Sequence, residues 1–557
     1  MTRFAASPLP LLGVLLLALA LRVWGLTWGL PSATHYFSYH PDESVVLETS
    51  SVTMNVFAGH LLPHFYNYGS LQLYLVCFAN TLAALFGAVD IVPKDFSVWY
   101  PQWAKMYLTG RCLTVGMGVG TVWATYAIGA RLWGRRAGLV AGLILAVTPL
   151  HVQHSHFLTV DVPATFWVML SLLWSVSLAT DDPKPLKAAL WAGIFAGLAA
   201  ATKYNMALVI LPLLAAGVLT GATGKEGAAM RVGAAMRVGA CAGVGLLASL
   251  LAFFAACPGA LLETSTFLKD VRFEAVHVQN GDDPTFRNTG SGFVYNITHN
   301  LDAGMGLPLL LLALVSLGYA LYRRQRGDAL LAAFALPYYV LISLAAVRYA
   351  RYTIPLLPIL ALWTGRMLAD GSRLVQPFRR TATVVIGVGA LLVTGCNTFA
   401  LVLPMAQTDP RDMALKMLRT EFPRYSTAGF AVQPWFGTVP FSPYFTLPKP
   451  GAGLQADAEA YPARDELSPY LCSATDWDVA YLNKSKPDIV ALSEYDYDDA
   501  LRLHDPAALA YLAALTQNYT RQVILPTKYQ NTRGFPSSNL PHDMTYTNPI
   551  ISIYRRR

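Results

Sequence analysis

Long apolar runs separated by short charged stretches cover most of the chain. Clear examples lie at 11–21, 139–150, 307–319 and 383–403. About twenty predominantly apolar residues are needed for a helix to cross a bilayer, so repeated runs of this kind are typical of membrane-spanning helices. The pattern therefore predicts a polytopic α-helical membrane protein.

The positive charges between the apolar runs assign the loops to the two sides of the membrane. Basic clusters such as those at 131–136 and 323–326 alternate with loops that are acidic, aromatic or rich in histidine. Because Lys and Arg are enriched in cytoplasmic loops, we place the basic clusters and the N-terminus inside, which predicts about eleven crossings. The predicted spans lie near 9–29, 107–129, 138–149, 163–179, 187–202, 205–221, 239–256, 302–321, 328–346, 353–368 and 382–403.

One further apolar run, from Leu71 to Phe86, does not fit this alternation. If it crossed the membrane, the basic loop that begins at Arg131 would lie outside and Asp161 would lie inside. We therefore predict that this run lies along the membrane surface or re-enters it. Earlier in the chain, Glu43 to Phe57 has the pattern of an amphipathic surface helix.

The chain after Pro404 follows a different pattern. Its apolar runs shorten to strand length, as in Ile489–Leu492 and Val523–Leu525, and Asp412–Thr420 has the periodicity of a helix. An odd number of crossings puts this tail on the outer side. We predict a transmembrane domain at 1–404 and an extracytoplasmic α/β domain at 405–557.

The composition agrees with a membrane protein and excludes a soluble globular enzyme. Hydrophobic residues make up 54% of the chain and charged residues 13%, with a mean hydropathy of +0.40. The net charge of +8 lies in short loops between apolar runs, where it sets topology, so we predict no nucleic-acid binding. The six cysteines form no CxxC pair and indicate neither a zinc nor a haem site.

Two acidic positions near the outer ends of spans are the strongest candidates for chemistry, because an ionised side chain there needs a partner or a function. Asp42 and Glu43 follow the first span in the segment Tyr39-His40-Pro41-Asp42-Glu43. Such a carboxylate pair could supply a general base or ligate a metal. It could also simply begin a helix, with Asp42 as the cap and Glu43 favoured by the helix dipole.

The second acidic position is Asp161, which directly precedes an almost purely apolar span. Three histidines come shortly before it, at His151, His154 and His156. Together these side chains could hold a divalent cation, but their spacing is not that of a known zinc site. They could equally hydrogen-bond substrate hydroxyls or cap the helix. His40 belongs to the same set of substrate-lining or metal-ligating candidates.

Cationic residues lie on the same predicted outer side. Lys203 separates two spans, Arg348 and Arg351 bracket Tyr349-Ala350, and Arg111 lies in the outer part of the second span. Arginine forks and a lysine point charge suit a lipid-linked phosphate at the interface. The alternative for Arg348 and Arg351 is snorkelling of the side chains to lipid headgroups.

These features together favour an enzyme that transfers a group from a lipid-phosphate carrier at the outer surface. The main alternative is a transporter or flippase of a sugar or lipid-linked sugar. Transporters usually place polar residues near the bilayer midplane and often contain inverted repeats. Here the polar residues cluster at outer span ends, and the two halves show no repeat.

The motifs around these residues resemble those of the GT-C membrane glycosyltransferases of the protein O-mannosyltransferase and aminoarabinose transferase superfamily, similar to glycosyltransferase family 39. The resemblance covers about residues 10–400 and is specific in order and spacing. The matching pieces are Arg22–Leu26, His40–Glu43, Tyr68–Leu71, Arg111, His156–Asp161, Gly197–Tyr204 and Arg348–Tyr352.

The resemblance implies an inverting, single-displacement transfer of a hexose or pentose from a polyprenyl-phosphate donor to a hydroxyl of a lipid, glycan or protein. It implies Asp42 and Glu43 as the catalytic motif, with Asp42 as the base that deprotonates the acceptor. Lys203, Arg348 and Arg351 would hold the donor phosphate, and Arg111 would support the acidic loop. It also implies an integral protein of the bacterial inner membrane whose active site and tail are extracytoplasmic.

Overall fold

A computed structural model of the chain describes residues 8–91, 96–180, 184–221, 228–281, 284–423, 426–432, 436–441, 471–474, 477–524 and 540–557. Helices fill most of the first 404 residues. They are α1 Leu9–Val23, α2 Glu43–Glu48, α3 Leu71–Leu85, α4 Phe96–Trp133, α5 Arg135–Ala146, α6 Pro149–His154, α7 Asp161–Ala179, α8 Pro185–Thr202, α9 Ile210–Gly221, α10 Ala228–Ala256, α11 Gly259–Leu262, α12 Thr264–Asn280, α13 Gly292–Tyr295, α14 Asp302–Met305, α15 Leu307–Arg323, α16 Arg326–Leu344, α17 Leu357–Gly371 and α18 Pro377–Val402.

Each of the eleven predicted spans contains one of these helices, which confirms the polytopic helical fold. Within the described ranges, seven helical segments are long and apolar enough to cross a membrane. Four shorter apolar helices accompany them, and one of these is α3, the run predicted to stay at the surface. The number of crossings and their direction stay predictions.

The predicted surface helix from Glu43 to Phe57 is wrong in its length. Helix α2 ends at Glu48, a π-helical turn continues over Thr49–Thr53, and Asn55 then pairs with His60 as an isolated bridge. The local sequence explains the break. The Ser50 hydroxyl donates to the carbonyl of Leu47, and side-chain bonds of this kind compete with regular helical ones.

Close packing of small residues fixes the position of α8, the helix that leads to Lys203. A Cβ atom on Gly193 would lie 2.1 Å from the carbonyl oxygen of Gly245 on α10, and one on Gly197 would lie 2.2 Å from that of Ser249. Small residues four apart allow two helix backbones to approach this closely in a membrane. The position of α8, which ends just before Lys203, is therefore fixed against α10.

The tail forms a mixed α/β unit, as predicted. Its sheet has the strand order β2-β1-β3-β5-β4, in which β1 is parallel to β2 and β3, while β5 is antiparallel to β3 and β4. The elements are α19 Pro410–Glu421, β1 Thr427–Phe430, β2 Leu471–Ala474, α20 Val479–Ser485, β3 Ile489–Ser493, α21 Glu494–Arg502, α22 Pro506–Asn518, β4 Tyr519–Ile524 and β5 Ile551–Arg556. The predicted helix at 412–420 and the predicted strand at 489–492 are confirmed.

Alternation along β3 gives the sheet two buried faces. Ile489 and Ala491 pack with Leu415 of α19 on one side, whereas Val490 and Leu492 pack with the helices on the other. Successive side chains of a strand point to opposite faces, so a strand covered by helices on both sides is apolar throughout. This explains why the short run at 489–492 is continuous rather than alternating. The boundary between the two predicted domains stays a prediction.

Glu494, at the start of α21, is expected to make the tail less stable as the pH rises. Burial and, to a smaller extent, the charge of Asp498 raise the pKa of Glu494 to about 7. The folded state then binds a proton that the unfolded state has released. Stability is therefore fully present below pH 4.5 and falls by about 3 kcal/mol as the pH rises to 7. Glu494→Gln keeps an acceptor for the Ile550 amide and should remove this dependence.

The measurement is the melting temperature of the full-length protein at pH 5 and pH 8. Asp505→Asn is the matched control, because Asp505 is an exposed helix cap in the same unit. If the melting temperature changed equally between pH 5 and pH 8 in the wild type and in Glu494→Gln, Glu494 would not be the group responsible for the pH dependence.

Candidate active site

The acidic pair at 42–43 is divided between two environments. Asp42 occupies the N-cap position of α2, but its carboxylate makes no capping hydrogen bond. Its Oδ2 atom lies 3.0 Å from a guanidinium nitrogen of Arg351, and 25% of the Asp42 side chain is exposed. Glu43 is completely buried. Of the two carboxylates, Asp42 is the one that a substrate could reach.

Glu43 forms a buried ion pair with Arg111. The Nε and NH2 groups of Arg111 donate to the two carboxylate oxygens at 2.8 and 2.7 Å. The remaining guanidinium nitrogen donates to the carbonyls of Leu26 and Trp28, and Glu43 also accepts the amide of Leu158 at 2.6 Å. Burial by itself would raise the pKa of Glu43, but the guanidinium lowers it below its usual range.

This pair bears on two sequence-based expectations, that Arg111 supports the acidic loop and that Glu43 belongs to the catalytic motif. All three guanidinium nitrogens of Arg111 donate to protein atoms and its side chain has no exposed surface, so it cannot contact a donor phosphate. Both oxygens of Glu43 are likewise occupied, which leaves no lone pair directed at an acceptor hydroxyl. The two residues hold the loop that follows α1 against α4 and the segment before α7.

His40 orients the backbone at Asp42. Its Nδ1 atom accepts the Asp42 amide at 3.2 Å. Burial lowers the pKa of His40 to about 4, so the ring is neutral at pH 7 and carries its proton on Nε2. That nitrogen is buried and has no hydrogen-bond partner in the described part of the chain. The ring packs against Phe157 and Tyr546, with centroids 4.3 and 5.2 Å apart.

A second ion pair joins the start of α7 to the end of α8. Asp161 is the first residue of α7, where the helix dipole favours a negative charge. Lys203 follows the last residue of α8 in an extended conformation, and its Nζ lies 2.6 Å from Asp161 Oδ1. The same ammonium lies 4.5 Å from the centroid of the Tyr352 ring. Lys203 is therefore fixed in position while part of its surface stays accessible.

The segment before α3 packs against the chain on both sides of this lysine, at Ala201 and Tyr204. A Cβ atom on Gly69 would lie 2.0 Å from the carbonyl oxygen of Ala201, so the segment can reach α8 because the residue is glycine. Next to Lys203, the Tyr204 hydroxyl lies 2.9 Å from the carbonyl oxygens of both Tyr66 and Tyr68. These contacts hold the surface segment beside the Lys203 ammonium.

His154 connects the two pairs. The charges of Asp543, Asp161, Arg351 and Asp42 all act on its ring, whose pKa is lowered by burial. Both ring nitrogens are buried without a hydrogen-bond partner among the described residues. The five groups therefore share one electrostatic environment at the predicted outer side.

The other predicted residues lie apart from this cluster. His156 contacts the carbonyl oxygens of Trp24 and Val152 at 2.9 Å through its two ring nitrogens, so it supports the backbone and is not positioned to line a substrate site. Arg348 donates to the Thr289 hydroxyl and to the carbonyl of Gly290, both at 2.8 Å. These bonds attach the chain after α16 to the loop before α13 and do not bring Arg348 to the Asp42 region.

A divalent cation has no evident ligand set here. Asp42 and Asp161 each face a cationic side chain of the protein, and among the described residues no three His, Cys, Asp or Glu side chains surround a point where an ion could bind. Arg351 and Lys203 supply the positive charges that face these two carboxylates.

Two groups at the site were missed by the sequence analysis. Glu274, on α12, is a half-buried carboxylate whose pKa is raised by burial, and the charges of Lys203, Arg351 and Asp42 act on it. Asp543, in the tail, is completely buried and accepts the amides of Ala350 and Arg351. Neither residue stands out in the sequence, because each reaches the cluster from a part of the chain that is distant from the other site residues.

A family model described as dolichyl-phosphate-mannose-protein mannosyltransferase matches residues 108–242. A comparison with curated proteins found no match. Among solved structures, ArnT from Cupriavidus metallidurans bound to undecaprenyl phosphate is 16% identical, with a TM-score of 0.51 over 98% of this chain and 98% of that chain. The oligosaccharyltransferase of Archaeoglobus fulgidus in the apo form is 12% identical, with a TM-score of 0.52 over 94% of this chain and 73% of that chain. These likenesses establish the fold.

Proposed function

We propose that this protein transfers a sugar from a polyprenyl-phosphate donor to an acceptor hydroxyl. The family match and the shared fold support a membrane glycosyltransferase of the GT-C class. The transfer takes place at the outer membrane face. The observation that carries the proposal is the Asp42–Arg351 pair, in which a partly exposed carboxylate meets a guanidinium beside Lys203 and Asp161. A base and a phosphate-binding cation are thereby adjacent.

In the proposed reaction, Asp42 accepts the proton of the acceptor hydroxyl as that oxygen attacks the anomeric carbon of the sugar. The bond between the anomeric carbon and the phosphate oxygen breaks, and polyprenyl phosphate leaves with the electron pair. A single displacement of this kind inverts the anomeric configuration. The nearby cations stabilise the negative charge that develops on the leaving phosphate.

Arg351 and Lys203 have the donors that a phosphate requires. A guanidinium carries five N–H groups and an ammonium carries three. Asp42 faces one nitrogen of Arg351, and Asp161 accepts one hydrogen bond from Lys203. The side chains are 12% and 15% exposed. The carboxylates thus orient the cations and leave further donors for phosphate oxygens.

An apolar groove along α8, the helix that ends just before Lys203, suits the lipid part of such a donor. It has a volume of about 540 Å³ and is lined by α3, α8, α10 and α11, including Leu71, Leu198, Ala252 and Leu262. Leu198 precedes Lys203 by five residues, which is roughly 7 Å along the helix axis. A polyprenyl chain in this groove would bring its phosphate to the end of α8.

Removal of either cation should weaken donor binding. Because a charge-assisted hydrogen bond is worth roughly 1.5 to 3 kcal/mol, we expect Arg351→Ala and Lys203→Ala each to lose about ten- to a hundredfold in affinity for undecaprenyl phosphate. Arg351→Lys should recover part of this loss, since an ammonium cannot reproduce the guanidinium fork. Lys416→Ala, an exposed cation on α19, is the matched control.

The binding experiment also separates an enzyme from a transporter of free sugars. Undecaprenyl phosphate and undecaprenol are compared as ligands of the wild-type protein. Equal affinity for the two, or unchanged affinity in both alanine variants, would defeat the donor assignment. A flippase would bind the lipid phosphate too, so transfer of sugar from an undecaprenyl-phosphate hexose to added membrane lipid or glycan distinguishes it.

A further inference from the structure

The tail contributes a segment to the centre of the candidate active site. Residues 540–548 precede β5 and lie among the outer loops of the helical domain. Within this segment Asp543, Met544 and Tyr546 are buried. Asp543 is 193 residues from Ala350 in sequence, yet its carboxylate Oδ1 lies 3.0 Å from the Ala350 amide nitrogen.

Asp543 determines the backbone position of Arg351. Its two carboxylate oxygens accept the consecutive amides of Ala350 and Arg351, at 3.0 and 2.9 Å. These are the first two residues of the 3₁₀ segment Ala350–Leu356. The arrangement is that of a helix cap supplied from a distant part of the chain, since free amides at a helix start require an acceptor.

The same segment also packs against His40, the residue that accepts the backbone amide of Asp42. The ring of Tyr546 packs edge-on against His40, which in turn accepts the amide of Asp42. Between these two contacts, the carbonyl of Met544 accepts the side chain of Gln153 at 2.9 Å. Residues 543–546 therefore contact the backbone of Arg351 directly and that of Asp42 through His40.

The rest of the tail holds this segment in place. Arg411 donates to the carbonyl of Tyr546 at 2.9 Å and to both oxygens of Asp409 at 2.7 Å. The Arg411 guanidinium also lies 3.8 Å from the centroid of the Tyr39 ring. Trp28 donates to Asp409 at 3.0 Å. The tail is thus connected through buried charges to the loop that carries Asp42.

We infer that Asp543 is a positioning residue of the transferase site, and that residues 543–546 of the tail hold Asp42 and Arg351 in their productive arrangement. This inference rests on the proposed function. It makes the tail an integral part of the site and not a soluble appendage. Asp543 itself contacts neither sugar nor phosphate and acts through Arg351.

The first test combines Asp543→Asn with Arg351→Ala in the full-length protein and measures affinity for undecaprenyl phosphate. An asparagine retains one acceptor and presents an amide to the second backbone N–H, so Arg351 is displaced. Asp543→Asn should lose about tenfold in affinity. In the background of Arg351→Ala it should cause no further loss, because the two changes act through one side chain. Independent, multiplicative losses would overturn the inference.

Asp478→Asn is the matched control. Asp478 also accepts two consecutive amides, those of Ala480 and Tyr481, but in an exposed helix cap of the same tail. Its variant should bind undecaprenyl phosphate within twofold of the wild type. A similar loss of affinity in both variants would mean that any weakening of the tail has this effect, which would overturn the specific role of Asp543.

Hydrogen exchange gives a readout that does not depend on the proposed function. The amides of Ala350 and Arg351 should exchange at least tenfold faster in Asp543→Asn, whereas those of α17 should not change. If Asp543→Asn fails to fold, Gln153→Met is the second variant, because it removes the donor to the carbonyl of Met544. It should speed the exchange of the same two amides by a smaller factor. Unchanged exchange in both variants would overturn the positioning role. Absence of undecaprenyl-phosphate binding in the wild type would instead defeat the proposed function alone.

Discussion

Asp42→Asn is expected to reduce sugar transfer by about a hundred- to ten-thousandfold, the range typical for loss of a general base. The substitution removes the proton acceptor but keeps the size of the side chain. Because Asp42 makes no capping hydrogen bond and is partly exposed, folding should be almost unaffected. The affinity for undecaprenyl phosphate should stay within about fivefold, since the Arg351 amide keeps its hydrogen bond to the Asp543 carboxylate.

The experiment compares turnover and donor binding in the same preparations. Asp302→Asn is a suitable control, because Asp302 is a carboxylate at the start of α14, outside the cluster. Normal turnover in Asp42→Asn would refute its role as the base. The search would then move to Asp161 and Glu274, the other carboxylates in the same electrostatic environment.

The largest expected effect on stability comes from breaking the Glu43–Arg111 pair. Removing one partner of a buried ion pair leaves an uncompensated charge and costs about 3 to 5 kcal/mol. Arg111→Met should therefore lower the yield of folded protein and its melting temperature strongly. It would also leave the carbonyls of Leu26 and Trp28 without their donor.

Two further variants make this prediction specific. Glu43→Gln combined with Arg111→Met should be no less stable than Arg111→Met alone, because the isolated charge has been removed. Asp499→Asn breaks the exposed pair with Arg502 and should cost less than about 1 kcal/mol. If Arg111→Met were as mild as Asp499→Asn, the buried pair would not have the structural role assigned to it.

The sequence predicted the helical elements well because their signal is local. Each apolar run must satisfy its own backbone hydrogen bonds in the bilayer, so length and composition suffice to indicate a helix. The strand at 489–492 was also predictable, since a short continuous apolar run is typical of a strand buried on both faces. The helix predicted to reach Phe57 was too long, because hydrophobic periodicity does not register competition from serine side chains.

The candidate site was only partly predictable for a related reason. Asp42, Asp161, Lys203 and Arg351 stood out as charges at apolar span ends, where an ionised group needs a partner. The same criterion also selected Arg111, and it could not separate a buried structural cation from an accessible one. Accessibility depends on the carbonyls of Leu26 and Trp28, which face Arg111 only after the chain has folded.

By itself, the sequence determined the class of structure and the chemical types of the site residues, because hydrophobic periodicity, charge and residue type are local properties. The tertiary structure decided which charges meet. It separated Asp42 from Glu43, paired Asp42 with Arg351 and Asp161 with Lys203, and introduced Asp543 from a segment 193 residues from Ala350. Pairings of this kind arise from the packing of distant elements, and no local pattern in the chain encodes the distance between them.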